Sequence, residues 1–288
     1  MHLVIIVPVL NEEKSIKEYL ERINKVIDKI DTKFKIELLF VNNCSSDDTL
    51  AEIKNYINKY NFKINYISFT RNFGYQASIF CGLKSINADA YFINDVDLED
   101  PPELLLEFID YYNKDYKVIY GIRNNREGNK FMKIFRNFYY FLLSKIADNS
   151  FTPYMAEFSL LDKEVRDNLI KNETNFPFIR SEISYLGFKK KGVNYLRKQR
   201  TTGKTNYNII GVFKFAISGI LSSSTFFLRF NSYLGILLIL FNIILFILGQ
   251  KFQINFYYIF LTNISILILM LSFISLYVAR IYKEIIKK

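Results

Sequence analysis

Chemistry is most concentrated in one short stretch, "YFINDVDLEDPPELL", which begins at Tyr91 and sets Asp95, Asp97, Glu99, Asp100 and Glu103 around two adjacent prolines. The apolar residues that lead into it have the character of a buried strand, and the acids begin where that strand must end. Alternate residues of an extended segment share a face, and where a strand gives way to a turn Asp95 and Asp97 can converge on one hard cation. Mg²⁺ or Mn²⁺ held that way would bridge the phosphates of a nucleotide and neutralise charge on a leaving group. The competing reading is a solvated loop that caps the helix "PPELLLEFIDYY", with proline in its first turn. An Asp-x-Asp pair alone does not decide between them.

The elements that must position these acids are legible upstream. "LVIIVPVL" is a continuous apolar run of the kind shown by a parallel strand buried on both faces, and "NEEKSIKEYLERINKVIDKI" follows with helical periodicity and Asn11 placed as an N-cap. "KIELLFVNN" is a second strand, and "SSDDTLAEIKNYINKY" a helix opened by Ser and Asp caps. "INYISFT" and "ASIFCGLKSI" repeat the unit, and "ADAYFINDVD" adds a fourth strand. Strand and helix alternating at this spacing predict a doubly wound α/β sheet. Ligands of such sheets gather at the carboxyl ends of the strands, where Asn11 and Glu12, Asn42 and Asn43, Arg71 and Asn72, and Asp95 and Asp97 all fall.

Composition bounds the rest. The chain has 288 residues, a formal net charge of +10 and 50% hydrophobic residues. No charge interrupts "FNSYLGILLILFNIILFILGQ" between Arg229 and Lys251, nor "YYIFLTNISILILMLSFISLYVA" between Lys251 and Arg280. Each run is long enough to cross a bilayer, and neither carries the polar stripe of a helix in a soluble core. Lys and Arg crowd "KKKGVNYLRKQR" before the first run and "ARIYKEIIKK" after the second, so both termini are expected on the cytoplasmic side of the cell membrane. "MHLVIIVPVLNEE" lacks the basic start of a signal peptide. Cys44 and Cys81, without paired spacing, indicate neither a disulfide framework nor a zinc cluster, and a lone His2 removes most metal and triad chemistry.

The segments "IIVPVLNEE", "FVNNCSSDDT", "TRNFGYQASIFCGL", "INDVDLEDPPE", "YGIRNNREG", "AEFSLLD" and "RKQRTTGKTNY" resemble, in order and spacing, those of family 2 glycosyltransferases, and among them the polyprenyl-phosphate subgroup. The resemblance covers essentially the whole chain. It implies a GT-A (Rossmann-like) α/β domain with a mainly parallel sheet over residues 1–208, interfacial amphipathic helices over 209–230, and a C-terminal transmembrane hairpin over 231–288. The implied activity moves one sugar from a nucleotide sugar, such as UDP-glucose, to polyprenyl (undecaprenyl) phosphate with inversion. Expected partners are those two substrates and the bilayer, with nucleic acid not among them and a homo-oligomer left open.

Carried onto this sequence, the resemblance implies that Pro8, Asn11 and Glu12 line the nucleotide pocket, with Asn42 and Asn43 beside the base. Arg71, Asn72, Gly74 and Asp95 belong to the same nucleotide-sugar side. Asp95 and Asp97 would hold Mg²⁺ or Mn²⁺, helped by Glu99 where the family usually has Gln. Arg123, Arg136, Arg200 and Lys204 would receive the lipid phosphate and the diphosphate, with Asp97, Glu157 and Arg200 counted as catalytic. Guanidinium groups suit that task because they meet phosphate oxygens in bidentate geometry. For Lys189 to Lys191, attraction to anionic lipid head groups is the simpler expectation.

This chain departs from the family pattern at "NNC", where an acidic pair and glycine are usual, and at "AEFSL", where Glu157 stands for Asp and Ser159 for Arg. "FMKIFRNFYYFLLSKIA" and "IIGVFKFAISGILSSSTFFLRF" have the pattern of helices lying in a membrane interface, and "TTGKTNY", with Gly203 and Tyr207, is a candidate lid. Two other functions stay open on sequence grounds: a transferase of the same fold with another glycan or lipid acceptor, and a weakened membrane scaffold.

Overall fold

A computed structural model of the chain describes residues 1–123, 141, 145–146, 155–171, 179–197, 224–252 and 256–285. The first strand, β1 (His2–Val9), is buried on both sides: Leu3, Ile5 and Val7 enter one apolar cluster and Val4 and Ile6 the other. This is what its uninterrupted apolar run requires, because alternate side chains leave opposite faces of a strand. Helix α1 (Ile16–Ile27) covers the first face with Ile16, Tyr19, Leu20, Ile23 and Val26. Strand β2 (Lys35–Asn42), helix α2 (Thr49–Tyr56), strand β3 (Lys63–Ser68) and helix α3 (Tyr75–Ser85) follow. Helix α3 packs Ile79, Phe80 and Leu83 onto the second face.

After β4 (Ala90–Ile93), a 3-10 turn at Pro102–Leu104 leads into α4 (Leu105–Tyr112), and the proline starts the turn as expected. Strands β5 (Val118–Arg123), β6 (Met155–Asp162) and β7 (Lys190–Tyr195) complete the sheet, with α5 (Lys163–Lys171) and α6 (Ile179–Tyr185) between β6 and β7. The seven strands lie in the order β3-β2-β1-β4-β6-β5-β7. Only β6 runs against its neighbours β4 and β5. The strand order turns outward at β1 and β4, and the loops after those strands form the crevice where such sheets bind ligands.

The starts of α1 and α2 depart from expectation. Asn11 does not cap α1: it has φ +58°, and the helix begins three residues after Glu13, behind Ser15. At α2 the N-cap residue Asp48 makes no side-chain cap, and Asp47 before it accepts instead from the Thr49 N–H at 3.1 Å.

Two long helices end the described structure, α7 (Phe226–Phe252) and α8 (Phe256–Ile285). Both contain a stretch long and apolar enough to cross a membrane, Phe226–Leu245 and Ile259–Ala279, and almost none of either stretch is buried within the protein. Helix α7 begins at Phe226, so the last residues of the segment expected to lie in the interface are its first turn. The two helices pair through stacked Phe227 and Phe273, 4.8 Å between ring centres. Asn242 and Asn263 exchange amide hydrogen bonds at 3.2 and 2.8 Å, and Asn231 donates to the Met270 carbonyl at 3.1 Å.

Candidate active site

The loops at the carboxyl ends of β1, β2 and β3 are laced together by side chains. Asn11 Oδ1 accepts from the Ser46 N–H at 2.8 Å, and the Asn11 N–H donates to Ser45 Oγ at 3.0 Å. The Glu12 N–H donates to Thr49 Oγ1 at 2.8 Å, while the Glu12 carboxylate accepts from Ser15 Oγ at 2.9 Å. Asn42 donates to Ser68 Oγ and accepts from Ser45, and buried Asn43 donates to Asn72 Oδ1 at 2.8 Å while accepting from the Phe73 N–H at 2.8 Å. Asn42 and Asn43 stand where the sequence placed them, at the strand end, but their amides hold loops together. Asn72 Oδ1 also accepts from the Gly74 N–H, and Gly74 takes φ +96°, a conformation that glycine alone adopts readily. Arg71 lies 4.6 Å over the exposed Phe73 ring. Pro8 is buried within β1 beneath this rim.

Three non-glycine residues on the rim, Asn11, Cys44 and Leu98, have left-handed backbones with φ between +58° and +63°. Such conformations are strained for ordinary residues and gather where a loop has a task beyond connection.

The acids after β4 divide into two kinds. Asp95 Oδ1 accepts from the Tyr75 hydroxyl at 2.7 Å. Burial, then the charges of Asp97 and Asp100, raise the pKa of Asp95 well above the carboxylate range. Asp97 accepts from the Glu99 N–H at 3.1 Å. Glu99 and Asp100 instead meet cations. Glu99 pairs with Arg197, and Asp100, 1% exposed, pairs with Arg123 at 2.6 Å and accepts from the Tyr195 hydroxyl. Burial would lower the pKa of Arg123, but Asp100 and Tyr195 together hold it above the usual arginine value. Gly121 makes room for this arrangement, since a Cβ there would meet the Tyr195 ring at 2.5 Å.

Asp95 and Asp97 fit a hard divalent cation in donor chemistry, and the mutual repulsion of neighbouring carboxylates is what such a cation relieves. Glu99 does not join them, because its carboxylate is turned to Arg197. Among the described residues no group of three His, Cys, Asp or Glu side chains is arranged to hold a metal.

Glu157, on β6, accepts from Gln76 Nε2 at 2.7 Å and pairs with Arg180 Nε at 2.6 Å. The same Gln76 accepts from the Ile179 N–H at 3.2 Å, and Arg180 reaches the Met155 carbonyl at 3.1 Å. Helices α3 and α6 are thereby fastened to β6 around one carboxylate. Ser159 Oγ donates to the Glu157 carbonyl at 2.8 Å.

The structure thus gathers Asp95, Asp97, Glu99 and Arg123 into one locality. Arg136, Arg200 and Lys204 lie outside the described residues, as do Gly203, Tyr207 and most of both amphipathic stretches. Sequence reasoning did not single out Tyr75, Gln76, Asp100, Arg180, Tyr195 or Arg197 for these roles. Tyr75, Gln76, Asp100, Tyr195 and Arg197 stood within quoted segments; Arg180 carried no signal.

The mixed, mostly parallel sheet is that of the GT-A fold. Residues 4–170 match the family described as Glycosyl transferase family 2, and the chain belongs to that family. It is 36% identical over 235 residues to the uncharacterized glycosyltransferase YkcC of Bacillus subtilis, covering 81% of this chain and 72% of that one. It is 29% identical over 238 residues to a prophage bactoprenol glucosyl transferase homolog of Escherichia coli, covering 82% of this chain and 76% of that one. Among solved structures, glucosyl-3-phosphoglycerate synthase from Mycobacterium tuberculosis, solved with Mn²⁺, uridine diphosphate and glucosyl-3-phosphoglycerate, superposes with TM-score 0.52 at 16% identity, covering 75% of this chain and 76% of that one. At that identity the match speaks for the fold.

Proposed function

We propose that this protein transfers one hexose from a nucleotide sugar, UDP-glucose the first candidate, to polyprenyl (undecaprenyl) phosphate with inversion. The observation that carries the reading is the juxtaposition of Asp95 and Asp97 with Arg123 and Arg197 at the strand ends of a chain that also has two apolar helices of membrane-spanning length. The similarity to a bactoprenol glucosyl transferase homolog supports the lipid acceptor, and the Mn²⁺ and UDP bound to a fold neighbour support the donor class.

Asp95 and Asp97 would hold Mg²⁺ or Mn²⁺, which when bound offers Lewis-acid stabilisation to the departing diphosphate. The acceptor needs little activation, because a phosphate monoester with a second pKa of about 6 is largely dianionic near neutrality. Its oxygen attacks the anomeric carbon in line as the bond to the nucleoside diphosphate breaks, which inverts the configuration. Arg123, with Arg136, Arg200 and Lys204, neutralises the phosphates. Glu157, held between Gln76 and Arg180, orients sugar or acceptor. Catalysis then rests on position and charge more than on proton transfer.

Residues 1–208 form the catalytic domain in this reading, 209–230 lie in the membrane interface, and the hairpin leaves both termini in the cytoplasm, where nucleotide sugars are made. The test is nucleoside-diphosphate release by detergent-solubilised protein offered UDP- and GDP-sugars, with Mn²⁺ or Mg²⁺, with and without undecaprenyl phosphate. Release that requires metal and lipid phosphate and prefers one sugar supports the reading. Release stimulated only by another acceptor, or none from folded protein, overturns it.

A further inference from the structure

One buried carboxylate on the rim serves two guanidinium groups that approach from different strands. Asp100 Oδ2 receives Arg123 Nη2 at 2.6 Å, and Arg197 Nε stands 3.7 Å from Oδ1, beyond hydrogen-bond reach. Tyr195 lies between them: its hydroxyl donates to Asp100 and accepts from Arg123 Nε at 3.0 Å. Asp100 is itself fixed by its backbone, whose carbonyl accepts from buried Asn94 at 3.2 Å. Arg123 is therefore bound along one edge, and its Nη1 has no partner among the described residues. Arg197 Nε is buried without a hydrogen-bond partner, although Arg197 Nη2 rests on Glu99. Two guanidinium groups with unspent donors, each already gripping a carboxylate, have the chemistry of a phosphoryl site.

We infer that Asp100 and Tyr195 are positioning residues that organise Arg123 and Arg197 into a paired-guanidinium receptor for a phosphoryl group, with the Glu99 carboxylate occupying the Arg197 side until that group arrives. Glu99 is a weak occupant, because it is half-buried and faces the like charge of Asp97. A phosphoryl oxygen that displaces it keeps the Arg197 contact and brings a second oxygen to Arg123. The inference rests on the transfer reading only for the source of the phosphoryl group, which is either the lipid phosphate or the donor diphosphate.

The two roles separate in a binding experiment on the full-length protein in detergent, titrated calorimetrically with inorganic pyrophosphate in the absence of metal. Arg197→Ala is expected to weaken binding about tenfold, the effect of losing one charge-assisted contact. Glu99→Gln is expected to tighten it, because Arg197 is then released, and a purely structural contact would give no such gain. Tyr195→Phe, which keeps the ring that packs beside Gly121, is expected to weaken binding less than Arg197→Ala. Unchanged pyrophosphate binding in both Arg197→Ala and Glu99→Gln, with wild-type melting, overturns the inference. Steady-state kinetics then identify the source. A rise in KM for undecaprenyl phosphate with kcat little changed assigns the lipid phosphate; a rise in KM for the nucleotide sugar assigns the diphosphate. Opposite shifts in pyrophosphate affinity without any sugar transfer by the wild type would uphold the receptor while removing the transfer reading.

Discussion

The two ends of the sheet differ in how closely their acids are crowded. At the edge where the parallel strands begin and antiparallel β6 ends, Glu37 and Asp162 each have their own partners: Glu37 meets His2 at 3.2 Å and Lys63 at 3.6 Å and accepts from Asn65, and Asp162 meets Lys117 at 3.2 Å and the Tyr112 hydroxyl at 2.9 Å. At the carboxyl ends Asp95, Asp97, Glu99 and Asp100 crowd together, and burial with mutual repulsion raises the pKa of both Asp95 and Glu99. Both ends belong to one sheet packed on both faces by the same two apolar clusters, so packing does not explain the difference. The amino-end acids lie apart, each with its own cation, whereas the carboxyl-end acids repel one another even with Arg123 and Arg197 beside them, an arrangement that suits a ligand-binding site.

The strongest way to break this contrast is Asp97→Asn. It should lower sugar transfer by about a hundredfold or more, in line with losing one preorganised electrostatic contact to a transition state, while melting stays near wild type. Turnover near normal with metal present would remove Asp97 from the chemistry. Arg123→Met should cost about 3 kcal/mol of stability, because it leaves the buried Asp100 carboxylate without its close guanidinium, with Tyr195 and the more distant Arg197 as its remaining partners. Adding Asp100→Asn should recover much of that loss in denaturant titrations without restoring transfer. Glu37→Gln, at the opposite end, should cost about 1–3 kcal/mol and leave transfer kinetics unchanged. A kinetic defect there would erase the distinction between the ends.

Asp95 sharpens the comparison through pH. Its folded-state pKa lies above the ordinary 3.8, so the folded protein holds this proton more tightly than the unfolded chain does. Without metal, stability therefore falls as pH rises from the ordinary carboxylate value through the raised one, and the full penalty persists above it. Asp95→Asn should flatten that fall and melt higher than wild type at neutral pH without metal; an unchanged pH profile would contradict the crowding. The smallest effect is expected far from both ends. Asn263→Leu should weaken the pairing of α7 and α8 by about 0.6 kcal/mol, measured as a helix-association energy in detergent, since the unfolded helices find other partners in lipid.

Much of this was legible in the sequence because it depends on local pattern. The run "LVIIVPVL" could satisfy its apolar side chains only between two layers, and the charge-free stretches after Arg229 predicted two long exposed apolar helices. The location of Asp95 and Asp97 followed from the strand that ends before them. Side-chain direction did not follow. Asn42 and Asn43 stand at the expected strand end, but Ser45, Ser68, Asn72 and Phe73 claim their amides, and those partners are set by how three loops meet. Asn11 carries a cap's residue type, yet its left-handed backbone turns it to Ser46. Glu99 sits in sequence beside the acids and in space beside Arg197, a pairing that depends on β7 lying next to β5. Arg180 reaches Glu157 for the same kind of reason, from a helix that returns over β6.

The most direct measurement is the transfer of labelled glucose from UDP-glucose into the organic phase by wild-type protein and by Asp97→Asn, with Mn²⁺ and undecaprenyl phosphate present. Label extracted with the lipid, dependent on metal, released by mild acid and lost with Asp97→Asn, is the expected result. Label that stays in water-soluble glycan, or that enters lipid equally well with Asp97→Asn, would contradict a strand-end carboxylate site acting on a lipid phosphate.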